Sequence, residues 1–199
     1  MCYTDVDCMG CTGDADVNRP GAIYMERINA QLGELGREIE HVPGDGHCLL
    51  YAVSLGLTNE GLQPKTSDEL CEMLIEEISN NLDYYIQFAN GRNVVEDIER
   101  YVRYKEYNND TVDLILSALC NCLYVSAIIY NHTPTGVNIL ATGPGRRGVE
   151  CLGNIYLVLS GGNGNEHYSG VKKRVTESQY VAYPVDYTPR IVFATNMQI

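Results

Sequence analysis

The sequence predicts an α+β or three-layer domain, and three observations lead to this fold class. Helical periodicity dominates the earlier part of the chain, and short runs of branched and aromatic residues, typical of strands, follow from residue 124 onward. This segregation favours α+β over a doubly wound parallel sheet. The chain has 199 residues, 45% hydrophobic and 20% charged, which is an ordinary globular composition and suits one compact domain.

A glycine-rich loop separates the first two predicted helices. Apolar residues recur at helical spacing over residues 24–35, and Gly36 is a plausible stop. The loop 41–46 contains one proline and two glycines, which break any regular element. The apolar run 48–55 follows at once, so the sequence predicts a buried helix that begins near Cys48.

Three further helices are predicted before the first strand. Thr66 and Glu69 have the spacing of a capping box, in which each side chain bonds to the backbone N–H of the other residue. A shorter helix is predicted around residues 95–102, and Asn109 lies in a capping segment before the last one. Their apolar faces contain Leu70, Leu74, Ile78, Leu82 and Ile86, then Val95, Ile98 and Val102, then Val112, Ile115, Leu116, Leu119 and Leu123.

The strand signals are short and separated by turns. Tyr124–Tyr130 and Ile155–Ser160 are rich in branched and aromatic residues, and Val137–Leu140 lies between glycine- and proline-containing turns. Tyr168–Val175 and Arg190–Ala194 are weaker candidates. The predicted sheet is therefore small.

The two ends of the chain differ from its middle. Residues 1–20 are polar and contain several Asp and Cys, which indicates an irregular leader before the main domain, residues 21–175. Residues 176–199 form a C-terminal extension, either an added strand pair or a partner-binding tail. The two readings stay open.

The eight cysteines are interpreted as reduced thiols, because the N-terminal segment has no basic and apolar regions of a signal peptide. Those in helical patterns are expected to pack as small buried hydrophobes. They are Cys71, Cys120 and Cys122. A zinc-binding leader is an alternative to a disordered one, although no second pair follows at matching spacing to complete four ligands. Its ligands would be Cys2, Cys8 and Cys11.

The charge and hydropathy of the chain exclude two classes of partner. The formal net charge is -12, so the chain should repel phosphate backbones, and nucleic acid is not expected as a partner. No apolar run reaches the roughly 20 residues that a membrane span needs. We expect a monomer located in the cytoplasm, with a nuclear location or membership of a larger polyprotein as further options. An acidic chain would suit a partner with a basic face.

The segment around Cys48 is suited to nucleophilic chemistry. A cysteine in the first turn of a helix lies where backbone N–H groups point outward, and these donors with the helix dipole favour the reactive thiolate. Gly44 and Gly46 allow a close approach of the backbone to a substrate carbonyl. The loop N–H groups could form an oxyanion hole, whose single donors are typically worth about 3 to 4 kcal/mol of transition-state stabilisation.

A cysteine nucleophile needs a base, which is usually distant in sequence and adjacent only in the fold. His167 follows a strand and a glycine loop, a position on a rigid edge. His47 is too close to Cys48 to be its natural base, and His41 and His132 are interpreted as ordinary surface or core histidines. The residues alone support a Cys48/His167 pair, beside the simpler interpretation of a lone, satisfied histidine.

Two motifs resemble those of the ovarian-tumour (OTU) family of cysteine proteases. Residues 45–53, DGHCLLYAV, resemble the signature DGNCLFRAV, and Glu166–Tyr168, after the strand Ile155–Leu159, resemble its closing His-Tyr block. The resemblance covers roughly residues 40–172, so the segment 21–175 is expected to be an OTU-like protease domain. It implies a papain-like fold, with helices packed around a small, mostly antiparallel central sheet.

The resemblance also implies an activity and the residues that perform it. The activity is hydrolysis of the isopeptide bond between the C-terminal glycine of ubiquitin, or of a ubiquitin-like protein, and a lysine, without a cofactor or metal. Cys48 would be the nucleophile and His167 the general base. Asp45 would be the third catalytic residue or would shape the oxyanion loop. The oxyanion hole would consist of the N–H groups of Gly46, His47 and Cys48.

One departure from the family pattern leaves an alternative open. Many members have Asp or Asn two residues after the catalytic histidine, where this chain has Ser169. Ser169 or Asn165 is a candidate for orienting the imidazole, Glu166 or Asp45 could contribute, or the enzyme could work as a Cys/His dyad. The alternative function is a catalytically weak or inactive OTU-like module that binds ubiquitin. His47 and Tyr51 also differ from the commoner Asn and Arg.

Overall fold

The computed structural model describes residues 20–106, 109–133, 136–145, 150–161 and 166–175. The expected leader, the C-terminal extension and the strand candidate 190–194 lie outside the described residues, so those interpretations stay predictions. The helices are α1 Pro20–Glu34, α2 Cys48–Asn59, α3 Ser67–Asn80, α4 Leu82–Tyr85, α5 Val94–Tyr104 and α6 Asn109–Leu123, with a 3₁₀ turn at Ile86–Phe88. The strands are β1 Arg37–Glu40, β2 Val125–Thr133, β3 Gly136–Thr142, β4 Gly153–Ser160 and β5 His167–Lys173.

Within the described part of the chain, the strands form one five-stranded sheet in the order β1-β5-β4-β2-β3. The pair β2 and β4 is parallel, and the other neighbouring pairs are antiparallel. The prediction of an α+β fold with a mostly antiparallel sheet is therefore confirmed. β5 lies between β1 and β4, although β1 is more than a hundred residues earlier in the chain.

The sheet is covered on both faces, because its strands alternate their apolar side chains. The larger core cluster joins α2, α3, α5 and α6 to one face, where Ala127, Ile155 and Leu157 are fully buried. A smaller cluster joins α1 to the other face through Ile28 and Leu32, among others. The layers are thus helices, sheet and one helix.

Helix α2 packs closely on β4 and β5, and two glycines make this possible. A Cβ on Gly56 would lie 3.0 Å from Cβ of Ile155, and one on Gly170 would lie 3.1 Å from Cβ of Leu55. The helix α2 continues through Gly56 to Asn59. The glycine provides room for the sheet there, so its position is explained by packing.

One predicted element was wrong, and one strand was not predicted. The helix expected over 66–86 ends at Asn80, because Asn81 adopts a non-helical backbone (φ -132°) and its side-chain amide donates to the carbonyl of Glu77. Strand β1 was not predicted, because Arg37–Glu40 is polar and only four residues long. The capping box of Thr66 and Glu69 is present, which confirms that prediction.

Candidate active site

Cys48 is the first residue of α2, as expected, and only 3% of it is exposed. Its Sγ accepts a hydrogen bond from the backbone N–H of Tyr168, with a donor–acceptor distance of 3.5 Å. Tyr168 directly follows His167, so the two motifs, 120 residues apart in sequence, meet in the fold. Packing of α2 on β5 produces this contact.

His167 begins β5, and its half-buried imidazole lies against the loop before the nucleophile. A side-chain carbon on Gly44 would lie 3.6 Å from Nδ1 and 3.7 Å from Cε1 of this ring. Burial and then the nearby charge of His41 lower the pKa of His167, whereas a hydrogen bond with the Val42 backbone raises it. The net shift is downward, which favours the neutral imidazole, the form that can accept a proton.

The Asp45 carboxylate is engaged on three sides. One oxygen accepts the backbone N–H of His47 at 3.1 Å, as in an Asx turn. The other accepts the Tyr51 hydroxyl at 3.1 Å and pairs with the ammonium group of Lys105. The Lys105 hydrogen bond is the main cause that lowers the pKa of Asp45 to about 2, so the carboxylate is ionised at neutral pH. These contacts support the loop-shaping role among the two that the sequence left open.

Gly46 adopts a left-handed backbone, with φ +92°, and lies directly against Lys105. A Cβ at this position would overlap the backbone carbonyl oxygen of Lys105. Glycine is therefore required at position 46 for two independent reasons, the positive φ and the close approach of the other chain segment.

His47 is buried and fixed by its ring. The Nε2 atom lies 2.9 Å from the backbone carbonyl oxygen of Tyr101, and since a carbonyl only accepts, Nε2 carries the proton. The same carbonyl accepts the N–H of Lys105, which ends α5 in a left-handed conformation. The backbone N–H of His47, proposed for the oxyanion hole, donates to Asp45 in this structure. Gly46 and Cys48 remain the better candidates.

Ser169 is 1% exposed and pairs with Val158 of β4. Side chains two residues apart on a strand share a face, so Ser169 and His167 lie on the same side of β5. Glu166 is half-buried just before the strand. Asn165, the other candidate for orienting the imidazole, lies outside the described residues.

Lys105 and Tyr101 were not predicted as site residues, and His41 was interpreted as an ordinary histidine. The first two contact the loop from the end of α5, and His41 acts on the pKa of His167. No local pattern marks Lys105, because its partner is 60 positions away. The presence of Tyr51 where the family more often has Arg could have indicated an unusual environment for Asp45, because the Tyr51 hydroxyl donates a hydrogen bond to that carboxylate.

The described part of the chain shows neither a metal-binding cluster nor a membrane-spanning helix. No group of three or more His, Cys, Asp or Glu side chains there is arranged to hold a metal ion. The five cysteines within the described ranges are free thiols, and Cys71 and Cys120 are buried as expected, whereas Cys122 is only partly buried. The three cysteines of the suggested zinc site lie outside those ranges. None of the described helices is both long and apolar enough to cross a bilayer.

A thiol at the start of a helix, beside a strand that begins with histidine, is the arrangement of a thiol-protease site. The family model of OTU-like cysteine proteases matches residues 43–168, which include both motifs. The chain belongs to this family.

Solved structures of OTU domains share the fold. The OTUD1 OTU domain is 22% identical, with a TM-score of 0.59, over 74% of this chain and 93% of that one. An OTU deubiquitinase from Wolbachia pipientis wMel, bound to ubiquitin, is 13% identical with a TM-score of 0.51, over 70% and 97%. The viral OTU protease of Taggert virus is 18% identical with a TM-score of 0.50, over 72% and 84%. No curated protein matches the sequence.

Proposed function

We propose that this protein is a thiol-dependent deubiquitinase that hydrolyses peptide or isopeptide bonds after the C-terminal glycine of ubiquitin or a ubiquitin-like protein. The observation that carries the proposal is the contact between Cys48 Sγ and the backbone N–H that follows His167. It joins the family's two motifs at one point of the fold. The ubiquitin-bound Wolbachia structure supports ubiquitin as the partner class.

In the first step, His167 accepts the proton of Cys48, and the thiolate attacks the carbonyl carbon of the glycine. The carbonyl oxygen becomes an oxyanion that the N–H groups of Gly46 and Cys48 stabilise. When the C–N bond breaks, the protonated imidazole gives its proton to the leaving amine. The product is a thioester between the glycine and Cys48.

In the second step, water attacks the thioester. His167 accepts a proton from the water, and a second tetrahedral oxyanion forms in the same place. Breaking the C–S bond releases the glycine carboxyl group and returns the Cys48 thiolate, which recovers the proton from the imidazolium. No cofactor or metal takes part in this scheme.

The imidazole is oriented chiefly by the backbone in this proposal. A hydrogen bond with the Val42 backbone favours the protonated ring, and Gly44 lies beside the Nδ1 and Cε1 atoms. Ser169, on the same side of β5, brings no charge. Asp45 serves the loop through the N–H of His47. The catalytic unit is thus a Cys48/His167 dyad with a backbone partner.

A ubiquitin suicide probe tests the proposal. We expect the intact protein to capture the probe covalently and Cys48→Ala to lose capture completely, because Cys48 is the cysteine among those described that contacts the strand beginning with His167. Cys151→Ala is the matched control, since Cys151 is the exposed thiol among those described and should be dispensable. Capture that survives in Cys48→Ala would contradict the assignment.

The same experiment decides the alternative function. Binding of ubiquitin without capture or turnover would identify an inactive binding module, the reading that the absence of an acid at position 169 supports. A panel of diubiquitin linkages and ubiquitin-like probes then defines the substrate. The monomeric state and cytoplasmic location stay predictions.

A further inference from the structure

We propose that Lys105 is a positioning residue that holds the oxyanion loop, residues 43–47, in its working shape from the end of α5. The proposal rests on the proposed function, because the loop matters only if Cys48 attacks a carbonyl group. Three contacts, all made by one turn of α5, carry the proposal.

The first three residues of the oxyanion loop have little packing of their own, whereas His47 at its end is buried. Pro43, Gly44 and Asp45 are exposed, so apolar burial does not fix their backbone. An exposed loop without regular structure takes its conformation from specific polar contacts. The contacts to the end of α5 therefore decide where the N–H group of Gly46 points, whereas Cys48 is already held by α2.

The first contact is ionic. The Lys105 ammonium group pairs with the Asp45 carboxylate, and the Tyr51 hydroxyl lies 3.5 Å from the ammonium nitrogen and 3.1 Å from the same carboxylate oxygen. The second carboxylate oxygen holds the N–H of His47. Lys105 is thus connected through one carboxylate to the backbone of the residue before the nucleophile.

The second contact is steric. The Lys105 carbonyl oxygen lies where a side chain on Gly46 would be, which leaves the loop no room to move toward α5. The third is the hydrogen bond from the His47 ring to the Tyr101 carbonyl, the group that also accepts the Lys105 N–H. The end of α5 and the loop thus donate to the same carbonyl oxygen, that of Tyr101. This fixes the backbone of Lys105, from which its side chain extends toward Asp45.

The ion pair between Lys105 and Asp45 is not explained by a contribution to folding stability. The side chains of Lys105 and Asp45 are 41% and 39% exposed, and exposed ion pairs contribute little to folding. Removing the ammonium group should therefore loosen the loop while the fold remains. Because the loop and the fold should respond differently, the positioning role can be tested by kcat and KM, which a merely structural residue would not change separately.

The test compares Lys105→Met, Lys105→Arg and the control Arg100→Met. Arg100 of α5 forms an exposed ion pair with Glu106, which lies just beyond the end of the helix, and it does not contact the loop in the described structure. We expect Lys105→Met to lower kcat for a fluorogenic ubiquitin amide about tenfold with KM within about twofold, because the oxyanion donors are misplaced rather than removed. The kcat of Lys105→Arg should lie within about threefold of the wild-type value, since arginine keeps the positive charge.

Alkylation of Cys48 by iodoacetamide develops no oxyanion. Its rate should therefore change by less than about twofold in Lys105→Met. The proposal would be overturned by any of three results. The first is a kcat of Lys105→Met within about twofold of the wild type, and the second is an equal loss of kcat in Arg100→Met. The third is a loss of the Cys48 alkylation rate in Lys105→Met that equals its loss of kcat. If the wild type cleaves no substrate, amide hydrogen exchange still tests whether Lys105 holds the loop. Exchange at His47 should accelerate in Lys105→Met, and an unchanged rate would overturn the positioning role independently of the proposed function.

Discussion

The two halves of the candidate active site are held in place by different forces. The nucleophile side depends on polar contacts between an exposed loop and the end of α5, through Asp45, His47 and Lys105. The histidine side depends on backbone pairing of β5 with β1 and β4 and on the packing of the buried Tyr168. Single side chains therefore set the geometry of the loop, whereas the sheet sets that of the histidine.

The largest effect is expected from Gly46→Ala, which breaks the loop side. The new Cβ would overlap the Lys105 carbonyl oxygen at φ +92°, so we expect kcat/KM to fall by about 100-fold or more. The free energy of unfolding should fall by about 1 to 3 kcal/mol, measured by denaturant titration.

Gly61→Ala is the matched control for this prediction. Gly61 has φ +71° but open space around it. It should lose about 1 kcal/mol of stability and keep kcat/KM within about twofold of the wild type. Equal activity of the two variants would show that the contact at Gly46 is not needed.

Ser169→Ala tests the histidine side and should have a smaller effect. If the backbone of Val42 orients the imidazole, we expect kcat/KM to fall by less than about tenfold, far from the roughly 10⁴-fold loss when a triad carboxylate is removed. Steady-state kinetics decide the question, with Ser126→Ala on β2 as the control. A loss near 1000-fold or more would make Ser169 the third catalytic residue.

His41→Gln should have the smallest effect, on the pH profile. Burial and His41 lower the pKa of His167, so the neutral base persists to lower pH and the acid limb of kcat/KM should lie below about 6.5. Removal of the like charge raises the pKa of His167, and the midpoint should move to higher pH. His132→Gln is the control. An unchanged midpoint in His41→Gln would contradict the electrostatic coupling.

Much of the fold could be predicted because it is encoded locally. The apolar spacing of α3 and α6, the capping box at Thr66 and the branched residues of β4 each act within a few residues. Strand β1 could not be found, because Arg37–Glu40 has no strand composition and forms only by pairing with β5. Its conformation is a tertiary effect.

The same distinction applies to the candidate site. Cys48 and Gly46 could be proposed from a helix start and a glycine loop, and His167 mostly from its motif. The partners of Asp45 could not, because Lys105 reaches it only when α5 ends in a left-handed residue beside the loop. A carboxylate three positions before a nucleophile suggests a triad in sequence, but its contacts here are with an ammonium, a phenol and an amide N–H.

The central place of β5 in the sheet has a consequence for synthesis. Cys48 and the loop that precedes it leave the ribosome more than a hundred residues before His167, and β1 lacks its sheet neighbour until β5 arrives. Pairing over such a sequence separation is slow compared with helix formation. A nascent chain that ends before residue 167 therefore carries the Cys48 thiol without His167, and the two motifs can meet only when β5 inserts between β1 and β4.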